Sequence, residues 1–315
     1  MSNPALTIIV VSYNTREMTL ACLRSVFRET RTAFELIVLD NASDDGSAEA
    51  IRAEFGDRVE LMASTENLGF AAGNNRAAET ARGEYLLLLN PDTVVLDGAI
   101  DRLLEFARKQ PEAGIWGGRT LFGDGSLNPA SCWSRQTLRS LIFQAMGLSS
   151  LFRRSSLFNP EGMGGWNREG IRAVDIVSGC FLLIRRELWE TLGGFRDIFF
   201  MYGEEADLCL RARALGVRPM VTSAATIIHH GGASEKARAG KLVRLLRAKT
   251  LLIRFHFPAA GKWAGVRLLY LWPASRYFAH SVLAALGRSA SGEARKEWAE
   301  VLRHKHEWFA CHAHD

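Results

Sequence analysis

The chain contains 315 residues, 48% of them hydrophobic, and its 39 Lys and Arg against 34 Asp and Glu give a net charge of +5. This composition excludes a disordered protein and is ample for one large core, or for one domain with an appendage. The five cysteines lie far apart without a C-x-x-C pair, which excludes a zinc knuckle or a disulfide framework and predicts a reducing cytosol.

Aliphatic and β-branched runs alternate with helical patterns, which is typical of an α/β domain with a mostly parallel central sheet flanked by helices. The first apolar run has no basic flank and no cleavage site, so we expect a core strand there and not a signal peptide. Strands are predicted at residues 6–12, 35–40, 59–63, 85–90, 113–117, 174–185 and 218–228. Helices are predicted at Arg16–Phe27, Ser47–Phe55 and Ala71–Ala81.

Polar side chains follow several of these strands, and ligands of open α/β sheets bind outside the carboxyl ends of the strands. The clusters are Ser12-Tyr13-Asn14, Asp40-Asn41 and Asn90-Pro91-Asp92. We therefore expect the three clusters to line one crevice. The chain has no G-x-G-x-x-G after the first strand and no G-x-x-x-x-G-K-[ST], which disfavours a Rossmann dehydrogenase and a P-loop NTPase.

Two later clusters extend this set, the acidic Glu204-Glu205-Ala206-Asp207 and the sequence His229-His230-Gly231-Gly232-Ala233-Ser234. A carboxylate at a strand end, a second acidic cluster and a late imidazole suit metal-assisted displacement of a phosphorylated leaving group. The sequence therefore indicates an enzyme.

Taken together, these motifs resemble the family-2 inverting glycosyltransferases of the GT-A fold, in particular their bacterial rhamnosyltransferase-like branch. The order and spacing of the motifs carry the resemblance over residues 5–235. The matching stretches are 9–14, 39–47, 66–75, 89–92 and 193–211. The resemblance implies a GT-A catalytic domain at 1–235, with a nucleotide-sugar half at about 1–120 and an acceptor half at about 120–235.

The resemblance also implies how the donor is bound. Ser12, Tyr13, Asn14 and Asp40 would contact the base and ribose, and Asp92 would bind Mg²⁺ or Mn²⁺ at the diphosphate, since hard oxygen ligands suit these cations. Asn90 stands where the family often has Asp, so we expect it to contact the sugar or the ribose. Asn67, Gly69 and Asn74 match the second donor-binding loop of the family. The competing interpretation of these polar residues is turn formation and helix capping.

Glu205 is the predicted general base, because an inverting transfer needs a carboxylate to accept the proton of the attacking hydroxyl. The family usually shows Glu-Asp at this position, where this chain has Glu-Glu. Glu204 and Asp207 are the alternative bases. His229 is the predicted second metal ligand, its alternative being a structural histidine, and Cys180 is interpreted as a small buried thiol.

Residues 236–315 form a predicted basic, amphipathic helical extension; with Glu235 they carry 15 Lys and Arg against 6 Asp and Glu. Basic helices with aromatic residues bind anionic membrane surfaces. The alternative is that these helices pack on the catalytic domain or on another subunit. We expect no nucleic-acid partner, because no binding module is present and the rest of the chain is acidic. A cytoplasmic protein, peripheral on the inner face of the cell membrane, is predicted.

The resulting hypothesis is an inverting, metal-dependent transferase that moves a sugar from a nucleoside-diphosphate donor to a lipid-linked or polysaccharide acceptor in cell-surface glycan synthesis. The resemblance favours L-rhamnose from dTDP-rhamnose. Two alternatives stay open. One is a non-catalytic sugar-nucleotide-binding scaffold of a polysaccharide assembly complex, favoured by Asn90 and by the Glu-Glu pair. The other is a nucleotidyltransferase, which would need a glycine-rich loop where this chain has residues 12–16.

Overall fold

The computed structural model describes residues 4–231 and 238–310. The strands are β1 (Leu6–Ser12), β2 (Phe34–Asp40), β3 (Glu60–Ala63), β4 (Tyr85–Leu89), β5 (Thr93–Val95), β6 (Ile115–Leu121), β7 (Leu127–Asn128), β8 (Cys132–Trp133), β9 (Ile171–Ala173), β10 (Ile176–Val177), β11 (Phe181–Arg185) and β12 (Met220–His229). The helices are α1 (Arg16–Glu29), α2 (Ser47–Phe55), α3 (Gly69–Ala78), α4 (Ala99–Lys109), α5 (Leu138–Ala145), α6 (Leu148–Leu151), α7 (Arg186–Leu192), α8 (Glu204–Ala214), α9 (Arg238–His256), α10 (Ala259–Ala285), α11 (Ser289–Arg303) and α12 (Lys305–Trp308).

These elements form two compact units. The first comprises residues 4–133 and 167–231, and the second comprises residues 134–166 and 238–310. Residues 134–166 are thus grouped with the C-terminal helices, whereas the sequence predicts them in the acceptor half of the catalytic domain. The reason is local packing, since α5 lies against α10.

The first unit is built on a large sheet with the strand order β3-β2-β1-β4-β11-β6-β12-β5. The strands from β3 to β4 are parallel, as the alternating strands and helices predict. The sheet as a whole is mixed and not mostly parallel, because β11 runs antiparallel to both β4 and β6. The predicted α/β architecture with a central sheet and flanking helices is confirmed.

The core of the first unit lies around this sheet. All seven residues of β1 are buried, as expected of a β-branched and aliphatic run in the middle of a sheet. The predicted strand at 174–185 is interrupted, since a turn at residues 178–180 separates β10 from β11. The described cysteines Cys22, Cys132, Cys180 and Cys209 are free and buried, and Cys311 lies outside the described residues.

The second unit is helical, with α10 in contact with α5, α9 and α11. Its core includes Leu246, Leu269, Trp298 and Trp308. The described helices include none with both the length and the apolar character needed to cross a membrane.

Candidate active site

The carboxyl ends of β2, β1 and β4 lie side by side at one edge of the sheet. Ser12 is the register partner of Asp40, and the N–H of Asn41 donates to the carbonyl of Ser12 at 2.8 Å. β4 pairs with the other side of β1 in parallel, and Asn90 directly follows it. The structure therefore brings three of the predicted polar clusters to neighbouring positions, as parallel pairing requires.

The side chains of the first cluster differ in what they contact. The buried Ser12 hydroxyl lies 2.8 Å from Thr19 Oγ1, inside the protein. Asn14 adopts a φ of 50°, and its Oδ1 accepts from the N–H of Asp44 at 2.9 Å, which ties the β1 loop to the β2 loop. Tyr13 is 39% exposed. Ser12 is thus enclosed by the protein, whereas Tyr13 and Asn14 are exposed, and Tyr13 offers a ring to a ligand.

Asp40 combines a structural contact with a free oxygen. Its Oδ2 accepts from the N–H of Ser43 at 3.2 Å, which is the turn that the competing interpretation predicts. Its Oδ1 is buried and has no hydrogen-bond partner. Because buried polar atoms are normally paired, the second oxygen is suited to a ligand hydroxyl or N–H.

Asn41, which the sequence analysis places in a polar cluster without a role of its own, organises the predicted second donor-binding loop. Its Nδ2 donates to Asn67 Oδ1 at 3.0 Å and to the carbonyl of Gly69 at 3.1 Å, and its Oδ1 accepts from Leu68 N–H at 2.8 Å. Asn67 Oδ1 also accepts from Gly69 N–H at 2.9 Å. The Asn67 side chain therefore holds this loop against the β2 loop, and its predicted donor contact stays a prediction.

Gly69 and Asn74 also make contacts within the protein. Gly69 has a φ of +79°, and a Cβ there would lie 2.4 Å from the carbonyl oxygen of Phe200. The glycine thus permits a close approach of protein backbone. The buried Asn74 amide donates to the carbonyl of Phe70 at 2.8 Å, one turn earlier along α3. Ligand contacts by these two residues remain predictions.

The donor-binding loop is tied to the segment that leads into the acidic cluster. Asn75 Nδ2 donates to the carbonyl of Phe195 at 2.9 Å, and Asn75 Oδ1 accepts from its N–H at 2.9 Å. The N–H of Phe70 donates to the carbonyl of Phe200 at 2.8 Å. These contacts to backbone groups fix the two loops of the site relative to each other, and no local sequence pattern reveals them.

Asp92 and His229 lie together as predicted. β12 pairs with β5, which places His229 beside Thr93, with its Nε2 3.3 Å from Asp92 Oδ1 and 3.4 Å from Asn90 Nδ2. Asp92 Oδ2 accepts from Gly231 N–H at 2.9 Å. The rest of the predicted motif, Gly232-Ala233-Ser234, lies outside the described residues.

The two side chains shift each other's ionisation. Burial alone would raise the pKa of Asp92, but hydrogen bonding and attraction to His229 hold it below its usual value. Burial would lower the pKa of His229, but the neighbouring Cys180 and Asp92 raise it to about 10. The pKa shifts of both groups thus favour the charged forms of this pair.

These residues fit part of a divalent-cation site. Asp92 supplies a carboxylate, His229 an imidazole, and Asn90 a buried Oδ1 without a hydrogen-bond partner. The part of the chain that the structure describes contains no cluster of three or more His, Cys, Asp or Glu side chains that could hold a metal ion. Such a cation would therefore depend on oxygens of a bound diphosphate or water, as Mg²⁺ commonly does.

The acidic cluster begins α8. Gly203, with a φ of 91°, precedes Glu204, which is buried, whereas Glu205 is half-buried. Burial raises the pKa of Glu205 despite the backbone N–H groups around its carboxyl, and burial with the charge of Glu205 raises the pKa of Glu204 further. One oxygen of each carboxyl, Oε2, is buried without a hydrogen-bond partner.

Asp207 is less suited to act as the base. It is fully buried, with Arg211 Nε 2.7 Å from its Oδ2 and Arg196 Nη1 3.2 Å from its Oδ1. Arg211 also donates to the carbonyls of Leu192 and Gly194, at 2.6 and 2.7 Å. Asp207 therefore anchors the segment before α8 through two arginines.

The turn at residues 178–180 connects the two halves of the site. A Cβ on Gly179 would lie 3.7 Å from Glu205 Cβ and 3.3 Å from the Phe70 ring. The next residue, the buried Cys180, accepts from Asn90 N–H at 3.1 Å through its carbonyl. The turn at residues 178–180 thus contacts Glu205 through Gly179 and the end of β4 through Cys180. The sequence showed Gly179 only as part of a predicted strand.

Comparisons with known proteins agree with this arrangement. The family model for glycosyl transferase family 2 matches residues 7–192, more than half of the chain. The O-antigen biosynthesis protein RfbC of Myxococcus xanthus is 30% identical over 75% of this chain, which spans 18% of the length of that protein. The N-acetylglucosaminyl-diphospho-decaprenol L-rhamnosyltransferase of Mycobacterium tuberculosis H37Rv is 27% identical over 71% of this chain and 76% of its own length.

A solved structure extends the likeness to the fold. The mannosyltransferase PcManGT from Pyrobaculum calidifontis, in complex with GDP-Man and Mn²⁺, superposes with a TM-score of 0.60 at 19% identity, covering 98% of this chain and 88% of that one. At this identity the likeness bears on the fold alone. It confirms the predicted GT-A fold.

Proposed function

Because this chain belongs to glycosyl transferase family 2, we propose that it moves L-rhamnose, or a related sugar, from a nucleoside-diphosphate donor to a lipid-linked or polysaccharide acceptor, with inversion. The observation that carries the proposal is one arrangement: Glu205 lies against Gly179, and the next residue of the same turn, Cys180, is hydrogen-bonded to Asn90 beside the Asp92–His229 pair. An inverting transfer needs a leaving-group site and a base on opposite faces of the sugar. The name of the mycobacterial relative supports the choice of rhamnose and of a lipid-linked acceptor.

Glu205 is the proposed base. Its half-buried carboxyl has a raised pKa, and a catalytic base works best when its pKa approaches the pH of the reaction. In this role Oε2 accepts the proton of the acceptor hydroxyl while that oxygen attacks the anomeric carbon. Glu204 is the less suitable base, because its side chain is buried and less accessible to the acceptor.

Asp92 and His229 would hold Mg²⁺ or Mn²⁺, with Asn90 beside them. A bound divalent cation supplies charge neutralisation for the departing diphosphate. Its binding requires His229 to release a proton, since an imidazole ligates only in its neutral form. Gly231 N–H steadies the other oxygen of Asp92, so the carboxylate keeps its orientation.

The nucleotide would lie along the strand ends. Tyr13 provides an exposed ring on which a base can stack, and Asp40 provides a free carboxylate oxygen for a ribose hydroxyl or a base N–H. Asn14, Ser12 and Asn67 hold the loops that carry these groups. We infer that donor affinity depends most on Asp40, Tyr13 and Asp92.

Calorimetric binding of dTDP, UDP and GDP tests the proposal, with and without Mn²⁺, on the wild type and on Asp92→Ala. We expect one nucleotide to bind tightly with Mn²⁺, and Asp92→Ala to lose the Mn²⁺-dependent part. Asp57→Ala, at an exposed carboxylate of the same unit, is the matched control and should bind like the wild type. Failure of all three nucleotides to bind would contradict the proposal and the scaffold alternative alike, since both require a bound sugar nucleotide; nucleotide binding without sugar transfer would favour the scaffold.

A further inference from the structure

The helix α10 in the second unit has an exposed face that is apolar. Its exposed positions include Trp263, Arg267, Leu271, Phe278 and Val282, and Trp263 and Phe278 are 72% and 69% exposed. At 3.6 residues per turn these five positions fall within about 100° of arc and extend over about 28 Å. We call them the α10 stripe.

The α10 stripe is not needed for the core of its unit. On other sides of the helix, Val266, Leu269 and Pro273 are buried, and Val266 and Leu269 belong to the core with residues of α9 and α11. A helix on the surface of a soluble protein normally presents polar residues on its solvent side. Here the solvent side is apolar as well, which is the pattern of an interaction surface.

Charge indicates which partner suits the stripe. Residues 238–292 contain ten Lys and Arg and no Asp or Glu. Within the stripe, the Arg267 guanidinium lies 5.4 Å from the centre of the Trp263 ring, so the cation stands directly beside the aromatic residue. The helix α10 itself carries Lys262, Arg267 and Arg276 and no Asp or Glu. A protein partner would therefore need to match an apolar strip on a helix of net positive charge. An anionic bilayer supplies an apolar interior and negative headgroups together.

We propose that the α10 stripe is a docking face for an anionic lipid bilayer. The apolar side chains enter the boundary between headgroups and acyl chains, while Arg267, within the stripe, contacts the headgroups. The helix lies in the plane of the membrane. The proposal rests on the proposed function only in that a lipid-linked acceptor gives the enzyme a reason to be there.

Flotation with vesicles tests this proposal on the full chain. Vesicles of phosphatidylcholine alone are compared with mixtures of phosphatidylcholine and phosphatidylglycerol, for the wild type and for the double variant Trp263→Ser/Phe278→Ser. Leu215→Ser is the matched control, because Leu215 is 60% exposed and lies at the end of α8 in the first unit. Thermal unfolding checks that the double variant remains folded, as expected for two exposed side chains.

We expect the wild type to bind phosphatidylglycerol vesicles, and salt to weaken the binding. The double variant should bind at least about tenfold more weakly, because two large apolar side chains no longer leave water. Leu215→Ser should bind like the wild type. Absence of wild-type binding, equal binding to neutral vesicles, or equal binding by the folded double variant would overturn the proposal.

Two further measurements separate this proposal from others. If light scattering shows a wild-type dimer that the double variant converts to a monomer, a second copy covers the stripe and the membrane proposal is wrong. Nucleotide binding by calorimetry tests the proposed function separately. Vesicle binding without nucleotide binding would sustain the docking face and reject the enzyme proposal, and the reverse result would reject the docking face alone.

Discussion

Replacing Glu205 by Gln removes the proposed base while keeping the size and shape of the side chain. General base catalysis contributes about 10²- to 10⁴-fold to a rate, equivalent to about 3 to 5 kcal/mol of transition-state stabilisation. The rest of the site, Asp92, His229 and the loop at Asn41, is unchanged by this substitution. We therefore expect kcat to fall by about 10²- to 10⁴-fold while nucleotide affinity stays near that of the wild type.

Glu204→Gln is the matched control for this experiment. Both glutamates begin α8, both have a raised pKa, and both have a buried Oε2 without a hydrogen-bond partner. They differ in access, since Glu204 is buried and Glu205 is half-buried. Glu204→Gln should therefore keep most of the activity. The assay is transfer from the nucleotide sugar identified by calorimetry, measured across pH at saturating donor.

The raised pKa of the two glutamates also predicts how the free energy of unfolding depends on pH, which the same two variants can test. Because burial raises the folded-state pKa of Glu205 above its ordinary value of 4.5, the folded protein retains this proton more tightly than the unfolded chain. The protonated Glu205 carboxyl therefore contributes to the free energy of unfolding in full below pH 4.5, and this contribution decreases as the pH rises through the folded-state pKa. Both Glu→Gln variants should therefore gain stability relative to the wild type as the pH increases over this window. Urea denaturation at a series of pH values measures this difference.

Three results would refute this reasoning. A Glu205→Gln variant that keeps turnover within about threefold of the wild type is incompatible with general base catalysis by this residue. A wild type whose stability rises with pH relative to both variants would mean that the two carboxyls are stabilised as anions, opposite to the effect of burial. Loss of activity in Glu204→Gln alone would transfer the role of base to Glu204.

Two contacts between the loops of the site give further predictions. Gly69→Ala should lower the free energy of unfolding by about 2 to 4 kcal/mol, because the new Cβ meets the Phe200 carbonyl oxygen and φ is positive. In urea denaturation Gly193→Ala, at a left-handed glycine with φ of +70° and open space around it, should cost only about 1 to 2 kcal/mol; equal losses would show that the clash is relieved. Asn75→Ala removes both hydrogen bonds to Phe195 and should cost about 1 to 3 kcal/mol; a neutral effect would show that this tie does not stabilise the loops.

The sequence predicted the part of the site that depends on local pattern. The β-branched run of β1 and the polar residues after it place Ser12 at a strand end, and parallel pairing then puts Asp40 and Asn90 at the same edge. The position of His229 was also indicated, because a strand that ends in a polar residue exposes it at the sheet edge. These inferences need only strand periodicity and the rule for ligand binding in parallel sheets.

The rest of the site depends on contacts between residues far apart in the chain. The reversed direction of β11 sets Cys180 beside Asn90, and no periodicity within residues 174–185 encodes that direction. The Asn75 side chain bonds to the backbone N–H and C=O of Phe195 across 120 positions, and backbone groups, which every residue possesses, leave no mark in the sequence. Residues 134–166 belong with the C-terminal helices for the same reason, since the partner of α5 is α10.

The polar residues of the motifs divide into two groups by what their side chains contact. Ser12, Asn67 and Asn74 form hydrogen bonds within the protein and hold the loops in place. Over residues 4–231, Asp40 and Glu205 each keep one buried side-chain oxygen without a protein partner. Groups held by a rigid frame, with their own hydrogen-bonding capacity unused, are preorganised for a ligand. The first group explains why the loops can be irregular and still rigid, and the second is where we propose that substrate recognition and proton transfer occur.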